Sequence, residues 1–383
     1  MLPDLSSEEV LRYSRHLSLP GVGLQGQRKL KNASVLIVGV GGLGSPAALY
    51  LAAAGVGRIG LIDYDWVSYS NLQRQILFDQ SQVGKLKVEQ ARARLLGLNG
   101  DIEVIAHPEV FSSKNALELS RQYDILLDGS DNFATRYLAN DVCVLQGKPY
   151  VYGAVYRFDG QVGVFDARQG ACYRCLFPEP PAPGTTPSCA EGGVLGVLPG
   201  LIGTLQALET VKLITGAGTP AVNRLLMVDG LTFRFDLIDL RKNPACKICG
   251  AQPEIRELMD TASFCGEPLP KIDASINDSW EISPAQLAEE IKNGRPIRLI
   301  DVRTPEEVEI AVLAGSQLVP HDQIAHHLDD WGRDEDLVLY CRGGVRSLWA
   351  LRILREAGFE KARHLAGGIL AWAREIDPTM KEY

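Results

Sequence analysis

Three groups of residues in this 383-residue chain carry ligand-binding or reactive chemistry. The first runs from Gly39 to Asn132. Gly39-Val40-Gly41-Gly42-Leu43-Gly44 is a G-x-G-x-x-G turn, which lets the backbone bend sharply and approach a phosphate. Asp63 follows at the distance of an acidic side chain that meets a ribose hydroxyl. By itself such a turn indicates a dinucleotide site. The continuation changes that reading: Ser70-Asn71-Leu72-Gln73-Arg74, then Lys87, then Asp131-Asn132. A nicotinamide site has little use for cations aimed at the nucleotide, whereas a triphosphate needs its charge neutralised as pyrophosphate leaves. Lys87 falls in the first turn of a helix, where a cation is unfavourable unless an anion is near. Asp131 follows a strand and suits Mg²⁺ bridging phosphates; it can equally cap the next helix.

The second group is Cys172-x-x-Cys175 and, seventy residues on, Cys246-x-x-Cys249. Two such pairs give four thiolates for one tetrahedral Zn²⁺, a closed and structural site with no open position for water. Between the pairs, Pro178 to Pro187 holds too many prolines for a helix or a central strand, so an extended loop is expected. It ends at Cys189, either a nucleophile or a thiol without a chemical role. The third group is Cys341-Arg342-Gly343-Gly344-Val345-Arg346-Ser347. A cysteine between a strand and a helix faces converging N–H groups, and here two arginines, which lower a thiol pKa and stabilise an anion on sulfur. A cysteine-based phosphatase loop shares that logic.

The elements that must position these groups are legible as hydrophobic runs and periodicities. Val35–Val38, Arg58–Ile62, Ile102–Ala106 and Tyr123–Asp128 read as strands. Helices are expected from Ser45, over Lys85–Leu98, over 113–122 and over Phe133–Gln146. From Tyr150 to Phe165 the pattern is a hairpin turning at Asp159-Gly160, and a second hairpin turns on Asp229-Gly230. Gly200–Thr215 is an Ala/Leu helix. After a stretch without periodicity that includes Cys265, Ser283-Pro284 opens a capped helix. Strands at Ile297–Ile300 and Leu337–Tyr340 and a helix over Leu348–Ala357 follow. At the N-terminus Ser6 and Ser7 precede Glu9, a capping signal for a helix carrying Arg12 and Arg15.

The length calls for two or three domains, and 46% hydrophobic residues supply their cores. A net charge of −8 argues against a general nucleic-acid binder. No run of about 18 apolar residues and no basic-then-apolar leader is seen, so neither a membrane span nor a secretory signal is expected. Eight cysteines, four of them in C-x-x-C pairs, fit metal binding and catalysis in a reducing compartment, and a cytoplasmic location is expected.

Taken in order, Gly39–Gly44, Asp63, Ser70–Arg74, Gly84–Lys87, Asp131-Asn132 and both C-x-x-C pairs resemble the adenylyltransferases that activate ubiquitin-like sulfur carriers. These are the molybdopterin-synthase and thiazole-synthesis activating enzymes, and the likeness spans about Arg12 to Gly250. It implies ATP and Mg²⁺ as cofactors beside Zn²⁺, with Asp63 on the ribose, Asn71, Arg74 and Lys87 on the phosphates, and Asp131 on Mg²⁺. It also implies a homodimer in which Arg15 reaches the partner subunit's ATP site, and a thioester-forming role for Cys189. Residues 280–383 resemble a rhodanese sulfurtransferase domain through Asp301-Val302-Arg303, the Cys341–Ser347 loop and Gly367-Gly368 before Trp372. That likeness implies a persulfide on Cys341. One departure is the stretch Val312-Leu313-Ala314-Gly315, where such domains carry a histidine-glycine turn.

The expected fold is therefore α/β throughout: a Rossmann-like mixed-sheet adenylation domain with a structural zinc site over 1–250, a linker over 251–279, and a smaller α/β rhodanese domain over 280–383. The expected reaction joins adenylation of a carrier's C-terminal glycine to sulfur transfer from Cys341, giving a thiocarboxylate. Its partners are a carrier ending in Gly-Gly and a sulfur donor, either a cysteine desulfurase or thiosulfate, with neither nucleic acid nor membrane. An NAD(P)-dependent oxidoreductase is disfavoured by Arg74, Lys87 and Asp131. A non-catalytic scaffold is disfavoured by reactive residues in both halves.

Overall fold

In the computed structural model the described residues are 2–180, 193–259 and 280–383, so Cys189 and Cys265 lie outside them. The chain divides into two units, Met1–Glu267 and Pro268–Tyr383.

The first unit begins with three short helices, α1 (Ser7–Arg12), α2 (Ser14–Leu17) and α3 (Gly23–Asn32). The Ser6 hydroxyl accepts from the Glu9 N–H at 3.2 Å and the Glu9 carboxylate accepts from the Ser6 N–H at 2.7 Å, the reciprocal cap expected from the sequence. Alternating strands and helices follow: β1 (Ser34–Val38), α4 (Gly44–Ala54), β2 (Arg58–Ile62), α5 (Lys87–Leu98), β3 (Glu103–His107), α6 (Ala116–Arg121), β4 (Ile125–Asp128) and α7 (Phe133–Gln146). Then come β5 (Tyr150–Tyr156), β6 (Asp159–Phe165), α8 (Tyr173–Leu176), α9 (Val197–Thr215), β7 (Arg224–Asp229) and β8 (Arg234–Asp239).

The eight strands form one sheet in the order β3-β2-β1-β4-β5-β6-β7-β8. The first five run parallel and the last three pairings are antiparallel. Strand order reverses between β1 and β4, and ligands of such sheets bind beyond the strand ends at that point. Val38 pairs with Ile62 on one side and Asp128 on the other, so the loops after β1, β2 and β4 leave the sheet side by side. The buried strands Val35–Val38 and Ile125–Asp128 are apolar on both faces because helices cover both. Each fully buried Leu, Ile or Val there contributes about 1.5–3 kcal/mol.

Several boundaries differ from the sequence reading by one to three residues, and two of the differences have a clear physical cause. Helix α5 starts at Lys87 rather than Lys85, because Gly84 turns left-handed and Leu86 is held extended in an antiparallel bridge with Trp66. The first hairpin turns at Arg157-Phe158, since Tyr156 pairs with Asp159. Arg157 takes the positive φ of 52°, while Gly160 lies inside β6, where a Cβ would meet Ile202 Cδ1 at 2.5 Å. Packing against the helix, not the turn, demands that glycine. Helix α9 is long and apolar enough to cross a membrane by length and composition alone. In this structure it packs against α3, α4, β5 and β6.

The second unit is a five-stranded parallel sheet in the order β11-β10-β12-β13-β9. Its elements are β9 (Glu281–Ile282), α10 (Pro284–Lys292), β10 (Ile297–Asp301), α11 (Pro305–Val308), β11 (Gln317–Leu318), β12 (Asp336–Tyr340), α12 (Val345–Glu356), β13 (Arg363–Leu365) and α13 (Gly368–Glu375). Leu337 and Leu339 of β12 face one core and Val338 and Tyr340 the other, so this strand is buried on both sides. Arg303, fully buried, forks onto Asp301 (2.8 and 2.5 Å) and reaches the Ala311 carbonyl at 2.7 Å, which ties the loop after β10 to the sheet.

Candidate functional site

In the first unit the strand-end loops line a cleft open to solvent. Gly39, Gly41 and Gly42 line it from the β1 loop, Asp63 and Asp65 from β2, Arg74, Gln75 and Lys87 from the segment after it, and Asp131 and Asn132 from β4. The glycine turn is tight for a steric reason: a Cβ on Gly44 would sit 2.0 Å from the Gly39 carbonyl oxygen. That closeness brings the start of α4 against the end of β1, beside the cleft.

Asp63 organises the turn as well as facing the cleft. Its Oδ2 accepts from the Val40 N–H at 3.0 Å and its Oδ1 from the Asp65 N–H at 2.9 Å. Burial pushes its carboxyl up from the ordinary value, against the pull of Lys87 and those two N–H groups. Lys87, with a side chain 5% exposed, reaches Asp65 Oδ2 at 2.9 Å. The bridge between Trp66 and Leu86 and the Lys87 N–H to Asp65 carbonyl bond (3.0 Å) close the intervening loop and set that pair. Arg74 lines the cleft and donates to the Ser70 carbonyl at 3.1 Å.

Asp131 is exposed at the cleft, and among the described residues it has no hydrogen-bond or ion-pair partner in its own chain. The cap of α7 is Asn132, whose Oδ1 accepts from the Thr135 N–H at 2.8 Å, so Asp131 is not the cap residue. Asp128, buried beneath, accepts from Ser130 and Tyr150 and holds the loop.

Other residues of the sequence set lie around rather than in the cleft. Asn71 caps its own short turn with Ser68, Leu72 packs against the core, and Gln73 lies against Gly196. Arg15 is exposed on α2 and does not line the cleft of its own chain. Asp65, Gln75 and Glu109 have no role in the sequence reading, yet all three line the cleft. Gln75 is 4% exposed with an unpartnered Oε1; its position directly after Arg74 was the available signal.

The four cysteines of the C-x-x-C pairs converge, their sulfurs within 4.8 Å of one another. The closest approaches are 3.8 Å (Cys172–Cys175), 3.6 Å (Cys172–Cys246) and 3.4 Å (Cys175–Cys249). Ligands about 2.3 Å from one tetrahedral ion lie about 3.8 Å apart, so the set fits zinc. Hydrogen bonds among the thiols hold Cys175 down at about 6 and Cys246 lower still, while Cys172 and Cys249 are pushed up. Sulfurs this close cannot all ionise without a cation between them. Arg174, between the first two cysteines, forks onto buried Asp141 of α7 at 2.7 and 2.8 Å and anchors this knuckle to the domain.

In the second unit Cys341 follows the central strand β12 and is 2% exposed. Its sulfur accepts from the Gly344 N–H at 3.1 Å and lies 3.5 Å from the Ser347 hydroxyl. The Ile369 N–H donates to the Cys341 carbonyl at 2.8 Å, which is how the Gly367-Gly368 turn supports the loop. The two arginines depart from expectation. Arg346 forks onto Glu307 (2.7 and 2.7 Å) and Arg342 donates to the Tyr383 carbonyl at 2.5 Å. A guanidinium only 5% exposed needs a carboxylate, and Glu307 supplies it in place of the sulfur.

An open cleft with cations and an acid at a strand-order reversal, and in the same chain a thiol cradled at a helix start, define a two-part group-transfer protein. The ThiF family matches residues 13–248 and the rhodanese-like domain residues 283–375. The chain belongs to the ThiF family and carries a C-terminal rhodanese-like domain. It is 47% identical to the probable adenylyltransferase/sulfurtransferase MoeZ of Mycobacterium tuberculosis, over 99% of this chain and 96% of the relative. It is 44% identical to the adenylyltransferase and sulfurtransferase MOCS3-1 of Drosophila pseudoobscura pseudoobscura, over 99% of this chain and 86% of the relative. Among solved structures, E. coli MccB with ATP superposes with a TM-score of 0.54 at 26% identity, covering 64% of this chain and 75% of MccB.

Proposed function

We propose that this chain is an adenylyltransferase and sulfurtransferase that converts the C-terminal carboxylate of a ubiquitin-like sulfur carrier to a thiocarboxylate. The observation that carries the reading is the pairing, in one chain, of a cleft lined by Arg74, Lys87 and Asp131 with a separate unit whose buried Cys341 sits in an N–H cradle. Relatives named for both activities span 99% of it.

In this reading residues 1–250 activate and residues 280–383 transfer sulfur. ATP lies with its phosphates on the glycine turn and the start of α4, and Asp63 takes the ribose hydroxyls. Arg74 and Lys87 neutralise the phosphate charge, the uncharged Asn71 adds only a hydrogen bond from the rim of the cleft, and Asp131 would hold Mg²⁺, which would supply further positive charge there. A carboxylate oxygen of the carrier's terminal Gly-Gly attacks the α-phosphorus; the bond to the β-phosphate oxygen breaks and pyrophosphate leaves. The outer sulfur of a Cys341 persulfide, loaded by a desulfurase or thiosulfate, then attacks the acyl carbon and AMP leaves. The resulting acyl disulfide is cleaved by a second thiol, Cys189 or an external one, which takes up Cys341 in a disulfide and frees the thiocarboxylate. Cys172, Cys175, Cys246 and Cys249 hold zinc as a structural cross-link. The enzyme works in the cytoplasm as a homodimer, with Arg15 completing the ATP site of the partner subunit.

Cys341→Ala tests the division of labour. The variant is expected to keep carrier-dependent ATP–pyrophosphate exchange, because no atom of Cys341 is needed until the adenylate exists. It is expected to yield no thiocarboxylate when thiosulfate is the sulfur source, read as the absence of a sulfur-for-oxygen mass gain on the carrier. Thiocarboxylate from this variant rules out the second unit as the sulfur donor.

A further inference from the structure

Both loop arginines are engaged elsewhere and a guanidinium could in any case only steady a thiolate, so the thiol proton of Cys341 needs an acceptor within a site only 2% exposed. We propose that Ser347, His364 and Glu281 form a hydrogen-bonded relay that takes this proton onto His364 and so generates the nucleophilic sulfur, paired with an imidazolium that Glu281 holds. The inference deepens the sulfur-transfer reading and rests on Cys341 being the reacting group.

The relay is continuous. Ser347 Oγ lies 3.5 Å from Cys341 Sγ and 3.4 Å from His364 Nδ1, and His364 Nε2 lies 3.2 Å from Glu281 Oε1. Ser347 is fully buried and His364 is 3% exposed, while the Glu281 side chain is 35% exposed, so the chain runs from the interior to water. The fold sets each step. Ser347 stands in the first turn of α12, directly after the cysteine loop, and β13 lies between β12 and β9, with His364 in register with Leu339 and Glu281.

The remaining charges nearby are already paired. Arg346 holds Glu307, Arg342 the Tyr383 carbonyl, and Arg303 holds Asp301. Arg363, next to His364, holds Glu290 and Asp336, and Arg355 donates to the carbonyls of Glu360 and Ala362 and stacks on Trp280. Tyr340 bonds Ser316. Burial holds His364 below its ordinary pKa against the pull of Glu281, so the ring is neutral at neutral pH and has a lone pair to offer.

The transfer balances. The S–H bond breaks and its proton joins Ser347 Oγ, while the hydroxyl proton of Ser347 passes to His364 Nδ1. The imidazolium is held by Glu281 through its Nε2–H, and its charge stabilises the thiolate, so the thiol pKa depends on His364. The thiolate keeps the Gly344 N–H and the Ser347 O–H as donors. The Gly344 carbonyl, 3.0 Å from Ser347 Oγ, is the acceptor that competes for the hydroxyl when the thiol is intact.

The test is the pH dependence of iodoacetamide alkylation at Cys341, read on the Cys341 peptide by mass spectrometry in the full-length chain. Ser347→Ala and His364→Asn are expected to raise the apparent pKa of alkylation by about one unit, about tenfold less labelling near neutral pH. Glu281→Gln shifts it the same way by less. Asparagine keeps a hydrogen-bonding atom near the Nδ1 position but cannot accept the proton, so a purely structural His364 predicts a wild-type profile for that variant. A wild-type profile in His364→Asn overturns the relay. If that variant does not melt cooperatively, the half-exposed Glu281→Gln decides in the same way. Alkylation needs no carrier or sulfur donor, so failure here leaves the sulfur-transfer reading to the Cys341→Ala experiment.

Discussion

Lys87→Ala removes a cation whose side chain is 5% exposed and whose ion-pair partner, Asp65, is 51% exposed at the cleft. Two consequences follow from that asymmetry. Stability changes little, because Asp65 can be hydrated once the amine is gone; the loss is about 1 kcal/mol or less, as for other half-exposed pairs. Catalysis changes much more, because a preorganised donor at a reacting phosphoryl group is worth about 10²–10³-fold in rate, about 2.7–4 kcal/mol. Asp63 magnifies the effect. Burial already pushes its carboxyl up, and Lys87 is the foremost influence pulling it back, so in the variant Asp63 stays protonated to higher pH. Nucleotide binding then weakens as pH falls through that raised value, and the acid limb of the Michaelis constant for ATP begins at higher pH in the variant than in the wild type. The assay is carrier-dependent ATP–pyrophosphate exchange across pH, with thermal melting alongside. Exchange within about threefold of wild type, less than the loss of one such donor, with an unchanged melt would refute the placement of the phosphates beside Lys87.

Chelating the metal from purified protein is expected to lower the melting temperature of the first unit, because a closed thiolate site contributes folding energy; metal analysis of the untreated chain should give one zinc per chain. Glu307 gives the second unit an acid-sensitive lock. Burial raises its pKa, but the forked bond to Arg346, the Thr304 N–H and the charges of Arg346 and Arg303 together outweigh burial and hold it below the ordinary 4.5, so its stabilisation is present above that value and lost as pH falls through the lower folded one. Glu307→Gln should flatten the acid limb of stability measured by denaturant unfolding, and an unchanged limb removes this pair as its source.

Local chemistry was fully legible in the chain. The glycine turn after β1, the Ser6 and Ser283 caps, the paired C-x-x-C motifs and the cysteine loop after β12 are each written within a few consecutive residues, where backbone sterics and side-chain reach fix the outcome. The parallel half of the first sheet was legible for the same reason, since strands buried on both faces leave continuous apolar runs. Tertiary structure alone decided which groups are spoken for. Arg346 reads as a cation for sulfur until Glu307, 39 residues away, claims it, and His364 has no motif until β9 brings Glu281 beside it. Likewise Gly160 reads as a turn until Ile202 is found against it. A residue's type and local spacing set what chemistry it can do. Its partner, and so its charge and its availability, is set by strand register and burial, which depend on segments far apart in sequence.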